Sequence, residues 1–256
     1  MNLGKKKILI FVISYKASFR LKNVFNKIPF KKLKKYTIHV LISDDASKDD
    51  TILYAKKILK KNKNIYINEN KKNIGYGAHI KKCLNFALKK RFDYAVMIHG
   101  DGQYDPKYIP SLIKLLMNND KVGASTGSRM LRGVKKVTKG GMPIYKLFGN
   151  ILLTKIFNLL LNKNYTDTHT GLWAYNLSPL KNRKFNLLTN TFNFDQEFRF
   201  KNILENYYVK EIPIKTKYGD ERSQLHVLYA IKFFFNTLLF FLIKNNIFNL
   251  KKFKKN

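Results

Sequence analysis

A single cysteine, Cys83, in 256 residues leaves neither a disulfide framework nor a paired-cysteine zinc site to be built within the chain. Ile80, Leu84 and Ala87 surround it at helical spacing, which assigns the thiol to a buried core. Acidic residues are the second scarcity. Sixteen Asp and Glu stand against 50 Lys and Arg, a formal net charge of +34, and such an excess suits anionic partners: nucleic acid, an anionic membrane or a phosphorylated substrate. The lysines are scattered along the whole chain, and no zinc-finger spacing, RNP motif or basic heptad array accompanies them, which argues against nucleic acid. Only six prolines occur, and no low-complexity linker or internal repeat divides the chain. No G-x-G-x-x-G run is present, so a nicotinamide or flavin site has no support. Nor is there a secretory leader at the start, because Lys5, Lys6 and Lys7 run directly into strand-like Ile8 to Ile13; a cytoplasmic location is the expectation.

What is present is a 45% hydrophobic content, enough to bury the core of one large domain. Apolar β-branched runs alternate with amphipathic helical patterns, the signature of βαβ units. Strands are predicted at Lys7 to Ile13, Thr37 to Ser43, Asn64 to Ile67, Tyr94 to Ile98 and Val122 to Thr126. Helices are predicted at Asp49 to Lys60, where Ser47 or Asp49 offers the N-cap, and at Tyr76 to Lys90. The second half reads as helices at Ile144 to Leu161 and Phe194 to Asn206, and strands at Leu172 to Tyr175 and Tyr208 to Ile214. The expected architecture is a Rossmann-like α/β fold with a central, mostly parallel sheet over residues 1–224, followed by a tail, 225–256.

In such a sheet the carboxyl ends of the strands share one rim, where ligands bind. Ser14 and Tyr15 follow the first strand, Asp44 and Asp45 the second, Asn73 to Gly77 the third, and His99-Gly100-Asp101-Gly102-Gln103 the fourth. Asp44 and Asp45 can accept hydrogen bonds from a base or ribose, or serve only as acidic caps. Gly75 and Gly77 allow the backbone to approach a ligand, or mark a plain turn. Asp101 and Gln103, two residues apart at a strand end, are oxygen ligands suited to Mg²⁺ or Mn²⁺, with substrate phosphates completing the shell. Arg129, after the fifth strand, is placed to hold a diphosphate or acceptor phosphate.

These segments together resemble the family 2 glycosyltransferases, particularly the branch of dolichyl-phosphate mannose synthases and other polyprenyl-phosphate sugar transferases. The resemblance covers about residues 7–222 and rests on Ile13-Ser14-Tyr15, Ser43 to Asp49, Asn73 to Gly77, His99 to Pro106, Gly127-Ser128-Arg129, Thr170-Gly171-Leu172, Phe194 to Glu197 and Glu211 to Ile214. It implies a GT-A fold, a nucleoside diphosphate sugar (NDP-sugar) donor carrying uridine or guanosine, a divalent metal and inversion at the anomeric carbon. It also implies that Asp44 contacts the base and that Asp101 and Gln103 bind metal. The sequence departs from the family at His99, where an Asp is usual and an imidazole can still bind metal or hydrogen-bond a ribose, and at Tyr218 to Ser223, where that branch has an Arg-Gly-Ser-Lys-like run.

A phosphate acceptor is already anionic, whereas a hydroxyl acceptor needs a carboxylate base within reach. Asp195, Glu197 and Asp167 are the candidates, each with a capping or solvated role as the alternative. The apolar stretch Val227 to Ile243 is short for a membrane span, for which about 20 residues are needed, and a Lys-rich end follows it. A helix lying on the membrane is the expectation, before a packed helix or a span. The expected activity is transfer of a sugar to a polyprenyl phosphate or cell-surface glycan precursor at the inner face of the membrane. The rivals are a sugar-1-phosphate nucleotidyltransferase, which should carry a Gly-rich, Arg-Lys loop where Ser14 to Ala17 stands, and a basic membrane- or nucleic-acid-binding module.

Overall fold

A computed structural model of the chain describes residues 5–60, 62–182 and 184–216, with residues 235, 236 and 239 of the tail. The strands are β1 Lys7–Ser14, β2 Thr37–Asp44, β3 Ile65–Glu69, β4 Tyr94–His99, β5 Val122–Ser128, β6 Trp173–Asn176 and β7 Tyr208–Pro213. The helices are α1 Ser18–Asn26, α2 Thr51–Leu59, α3 Tyr76–Lys89, α4 Ile109–Met117, α5 Val134–Thr138, α6 Ile144–Leu161, α7 Leu177–Leu180 and α8 Phe194–Leu204. All seven strands join one sheet in the order β3-β2-β1-β4-β6-β5-β7.

β1 shows why the sheet is central. Ile8, Ile10 and Val12 point into one apolar cluster, and Leu9, Phe11 and Ile13 into the other. A strand buried on both faces reads as an unbroken apolar run rather than an alternating one. The first cluster is closed by Leu21, Val24 and Phe25 of α1, Ala55 and Ile58 of α2, and Leu112 and Leu116 of α4. The second is closed by Ile80, Cys83 and Leu84 of α3 and Phe194 and Phe198 of α8. Cys83 lies in that core, and burial pushes its thiol pKa up to about 12.

β6 runs antiparallel to both neighbours, β4 and β5, while the remaining pairings are parallel. Its first residue, Trp173, stands beside Met97 and Thr126. The Thr170-Gly171 loop that leads into β6 therefore reaches the same rim as the carboxyl ends of β1, β2, β4 and β5. The predicted N-cap is different: α2 begins after Asp50 without a side-chain cap, and Asp49 accepts instead from the backbone and hydroxyl of Thr51. The loop at Tyr218 to Ser223 and nearly all of the segment from Val227 to Ile243 lie outside the described residues.

Candidate active site

Three loops build one end of the rim. Asp44, the last residue of β2, accepts from Ser47 N (2.7 Å) and Ser47 Oγ (2.5 Å), and Ser47 Oγ accepts in turn from Lys16 N (2.7 Å). Thr51 Oγ1 accepts from Ala17 N and Ser18 N, so the β1–α1 and β2–α2 loops are stitched together. Lys16 and Ala46 both hold left-handed backbone, with φ 54° and 60°, a cost that non-glycine residues bear mainly where a loop is over-determined. Burial raises the Asp44 pKa, and the Ser47 hydrogen bonds oppose that shift. Each Asp44 oxygen retains acceptor capacity beyond these bonds. Beside it runs an open groove of about 430 Å³, lined by Ala46, Ser47, Lys48, Glu69, Asn70 and Lys71. Tyr15 is half-buried, with the Lys16 ammonium 5.3 Å from its ring centre. Ser14 is buried, and its Oγ lacks a hydrogen-bond partner.

Asp45 has a different task from its neighbour. Its Oδ1 accepts from Asn70 Nδ2 (2.8 Å) and Ile74 N (2.9 Å), and its Oδ2 from Gly75 N (3.1 Å). Both oxygens are thus occupied in holding the Asn73 to Gly77 loop. Asn73 is exposed and accepts from Gly75 N through its own side chain. The glycines of this loop also require a correction. The backbone that approaches them belongs to the protein: Gly77 N and Ala78 N donate to Asn190 O at 2.9 and 3.3 Å. A Cβ on Gly77 would sit 2.5 Å from Thr189 O, and one on Gly75 would sit 3.1 Å from Asn190 O. Gly75, at φ 86°, also needs backbone freedom that other residues lack. Gly77→Ala is therefore expected to cost about 1–3 kcal/mol by overpacking, measurable as a lowered urea midpoint at unchanged slope.

The fourth loop carries the metal-type residues. Asp101 Oδ1 accepts from Gln103 N at 2.9 Å, and Gly102, at φ 79°, closes this turn. Asp101 and Gln103 are partly exposed at the rim. No group of three or more His, Cys, Asp or Glu that could hold a metal occurs among the described residues, so a cage made wholly of protein is not built here. A Mg²⁺- or Mn²⁺-type ion is commonly held by one or two carboxylates, with phosphates and waters completing the shell. Asp101, with its second carboxylate oxygen and the neighbouring Gln103 amide, fits that mode. The His99 ring lies against Tyr104 and Tyr76, with centroids at 5.2 and 5.9 Å, and close to Gly171. Burial lowers the His99 pKa, with Asp101 and the Gly171 backbone opposing. Its Nε2 is buried without a hydrogen-bond partner, so a neutral wall residue stands where the family has a carboxylate.

The remaining candidates divide sharply. Arg129 Nε and Nη2 grip Asp167 Oδ2 and Oδ1 at 2.6 and 2.8 Å, and Arg129 N adds a third bond at 3.0 Å. Burial alone would raise the Asp167 pKa, but the Arg129 charge and hydrogen bonds outweigh it and hold the carboxyl below its usual range. Asp167 is therefore a saturated ion-pair partner, which corrects its reading as a base. Arg129 Nη2 also donates to His169 O, so the guanidinium is committed to the Asp167 to His169 loop. Glu197 accepts from Thr189 N at 2.9 Å and fastens the loop that covers Gly77. Asp195 stands apart. Its Oδ2 accepts from the Tyr76 hydroxyl at 2.8 Å. The Trp173 indole N–H points to Thr170 O, and Asp195 Oδ1 is left without a hydrogen-bond partner. Burial raises the Asp195 pKa to about 7, with the Tyr76 hydroxyl and the Arg199 charge pulling it back.

Two residues of this end carried no role in the sequence. Tyr76 stacks on Phe192 at 5.1 Å while holding Asp195; an aromatic between two glycines at a helix start was the available signal. Glu211 accepts from Thr166 N, Thr166 Oγ1 and Asp167 N, and it fixes the loop that carries the ion pair.

Comparison with known proteins gives the family and the fold. The family model described as glycosyl transferase family 2 matches residues 10–183. A UDP-N-acetylglucosamine–dolichyl-phosphate N-acetylglucosaminyltransferase of Methanococcus voltae is 28% identical over 93% of this chain and 97% of its own. An undecaprenyl-phosphate mannosyltransferase of Micrococcus luteus is 24% identical over 68% of this chain and 70% of its own. Among solved structures, glucosyl-3-phosphoglycerate synthase from Mycobacterium tuberculosis, in complex with Mn²⁺, UDP and glucosyl-3-phosphoglycerate, superposes with a TM-score of 0.63. That match is 11% identical and covers 95% of this chain and 81% of the synthase, a likeness of fold. With the parallel rim, the antiparallel β6 and the family match over most of the domain, the chain belongs to glycosyl transferase family 2 and is a glycosyltransferase of GT-A fold.

Proposed function

We propose that the protein transfers a sugar, with inversion, from an NDP-sugar to a polyprenyl phosphate at the inner face of a membrane. The observation that carries the acceptor class is the state of the carboxylates offered as bases. Asp167 is saturated by Arg129, Glu197 is bonded to Thr189 N, and Asp195 titrates near pH 7. With two of these carboxylates engaged in holding loops and the third only part-ionised at neutral pH, an acceptor that is already anionic demands least of the site. The Methanococcus and Micrococcus relatives, named as dolichyl-phosphate and undecaprenyl-phosphate sugar transferases, support the same class.

On this reading Asp44 accepts from the base or ribose, and the groove at Ala46 to Lys48 and Glu69 to Lys71 receives the nucleoside. Asp101 and Gln103 would hold Mg²⁺ or Mn²⁺, which when bound neutralises the leaving diphosphate. An acceptor phosphate oxygen bonds to the anomeric carbon as the bond from that carbon to the diphosphate oxygen breaks. The test is thermal stabilisation by UDP- and GDP-sugars with Mn²⁺ or Mg²⁺, followed by transfer to a polyprenyl phosphate. Stabilisation by neither nucleotide would overturn the donor, and transfer only to a hydroxyl sugar would overturn the acceptor.

The open Oδ1 of Asp195 favours a second reading, a hydroxyl acceptor with Asp195 as general base. Asp195→Asn separates the two. With a phosphate acceptor the rate should stay within a few-fold of the native enzyme. With a hydroxyl acceptor it should fall by about 10²–10⁴-fold, and the native rate should rise as the pH passes through about 7. The same substitution has a stability signature. The folded pKa of about 7 lies above the ordinary 3.8, so the fold binds the proton more tightly than the unfolded chain does. Stability is thus full at low pH and falls as the pH rises from about 4 to 7. Asparagine carries no such titration, and Asp195→Asn should melt higher at pH 8 by roughly 2–4 °C for each kcal/mol recovered.

A further inference from the structure

Helix α6 is long and apolar enough to cross a membrane, although Lys146, Asn150, Lys155 and Asn158 interrupt it, yet only 22% of it is buried within the protein. A helix with that composition is normally covered on every side. Leu147, Leu153, Thr154 and Phe157 face the domain. Ile144, Tyr145, Phe148, Leu152 and Leu159 are 78%, 53%, 67%, 36% and 84% exposed. At 3.6 residues per turn these five fall within an arc of about 100°, opposite the buried face, with the exposed Lys155 among them. Helix α5 packs beside α6 through Val137, Met142 and Leu147. It extends the open apolar surface with Val134, and the turn before it adds Leu131, 47% and 45% exposed.

We propose that the α5–α6 hairpin is the surface by which this protein rests on an anionic bilayer, with α6 lying along the interface. The inference builds on the lipid-phosphate reading and says where the membrane sits. Charge selects the occupant. Between Asp120 and Asp167 the sequence has no Asp or Glu and nine Lys and Arg, among them Lys135, Lys136 and Lys139, exposed beside the apolar face. Such a basic rim around an apolar stripe matches anionic headgroups over acyl chains. A second copy of the chain, at the same +34, would meet this rim with like charge.

The second half of the helix is tied to the domain, which favours lying over spanning. Thr154 Oγ1 pairs with Thr168 Oγ1 at 3.0 Å, and Asn158 exchanges bonds with Tyr165 at 2.7 and 2.9 Å. Through Thr168 the helix is joined to the loop that carries Asp167 and His169. Leu131 lies two residues beyond Arg129. The bilayer surface would therefore begin at the edge of the candidate site, where a lipid-borne phosphate must arrive.

The test is co-flotation of the full-length protein with phosphatidylcholine vesicles, with and without phosphatidylglycerol. Native protein should float with the anionic vesicles and release as salt is raised. Phe148→Ser combined with Leu159→Ser, both at exposed positions, should lower partitioning by about tenfold or more. Lys135→Glu with Lys136→Glu should lower it while leaving the apolar face intact. Thermal stabilisation by UDP or GDP should be unchanged in both variants, so loss of flotation is distinguishable from failure of the transferase reading. Equal flotation of native protein and variants would overturn the inference by placing the contact elsewhere, for instance in 225–256. A native dimer that the Phe148/Leu159 variant dissolves would overturn it by making the surface a contact between copies.

Discussion

Asp101→Ala should remove donor turnover, lowering kcat/KM by about 10³-fold, a typical loss when charge stabilisation at a leaving group is withdrawn. The fold should hardly notice. Asp101 is partly exposed, and its carboxylate accepts a bond from Gln103 N. Losing such a bond costs about 1 kcal/mol, or roughly 2–4 °C in a domain of this size. Steady-state transfer with saturating Mn²⁺, alongside a thermal melt, separates the two effects. Gln103→Ala should be much milder, about tenfold, because a neutral amide contributes no charge to a cation or a diphosphate. Among the described residues no cluster of three or more His, Cys, Asp or Glu stands by to take over. Retained transfer in Asp101→Ala would remove this residue from the metal role, and a collapsed melt would make it a structural cap.

The sequence and the structure agree most closely where information is local. β1 and β4 read as unbroken apolar runs because each is buried on both faces, and β2, interrupted at His39, does so from Val40 to Ile42; the predicted limits of all three differ from the observed ones by a single residue at the carboxyl end. β6 is only Trp173–Asn176, and four buried residues carry no mark of direction; its antiparallel sense is set by pairing with β4 and β5. The rim itself was legible, since Ser14, Asp44, Asp101 and Arg129 each follow a strand that could be read. Roles within it were not. Asp44 and Asp45 are adjacent and chemically identical, and only the fold turns one toward Ser47 and the other toward Ile74 and Gly75. Gly77 suggested a ligand because nothing nearby in sequence could fill the space, whereas the filler is the backbone of Thr189 to Thr191. Asp167 and Arg129 lie 38 residues apart, and each looked like an independent functional group until the loop before β6 brought them together.

That pair carries the largest expected effect on stability. Asp167→Ala removes the carboxylate from a guanidinium that is 5% exposed. It also takes the acceptor from Arg129 N and His169 N. Breaking a buried pair from one side typically costs about 3–5 kcal/mol, because the remaining charge keeps its desolvation penalty. The loss should appear as a lower denaturant midpoint and, at a typical domain stability of about 5–15 kcal/mol, can consume much of the fold's margin. Asp167→Asn keeps the shape and part of the hydrogen bonding, and should cost less. Arg129→Met with Asp167→Leu removes both charges and should recover most of the loss, as replacement of a whole buried pair by packed apolar groups often does. If the double variant is no more stable than Asp167→Ala, the pair's electrostatics are not what holds this loop. The pH dependence gives an independent check, with a sign opposite to that of Asp195. The folded Asp167 pKa lies below its ordinary 3.8, so the fold releases this proton more readily than the unfolded chain. The pair's contribution is then complete above about pH 4 and is lost as the pH falls through the depressed value. Acid unfolding of the native protein should thus gain steepness below pH 4 that Asp167→Asn lacks, whereas the Asp195→Asn difference is confined to the window from about pH 4 to 7.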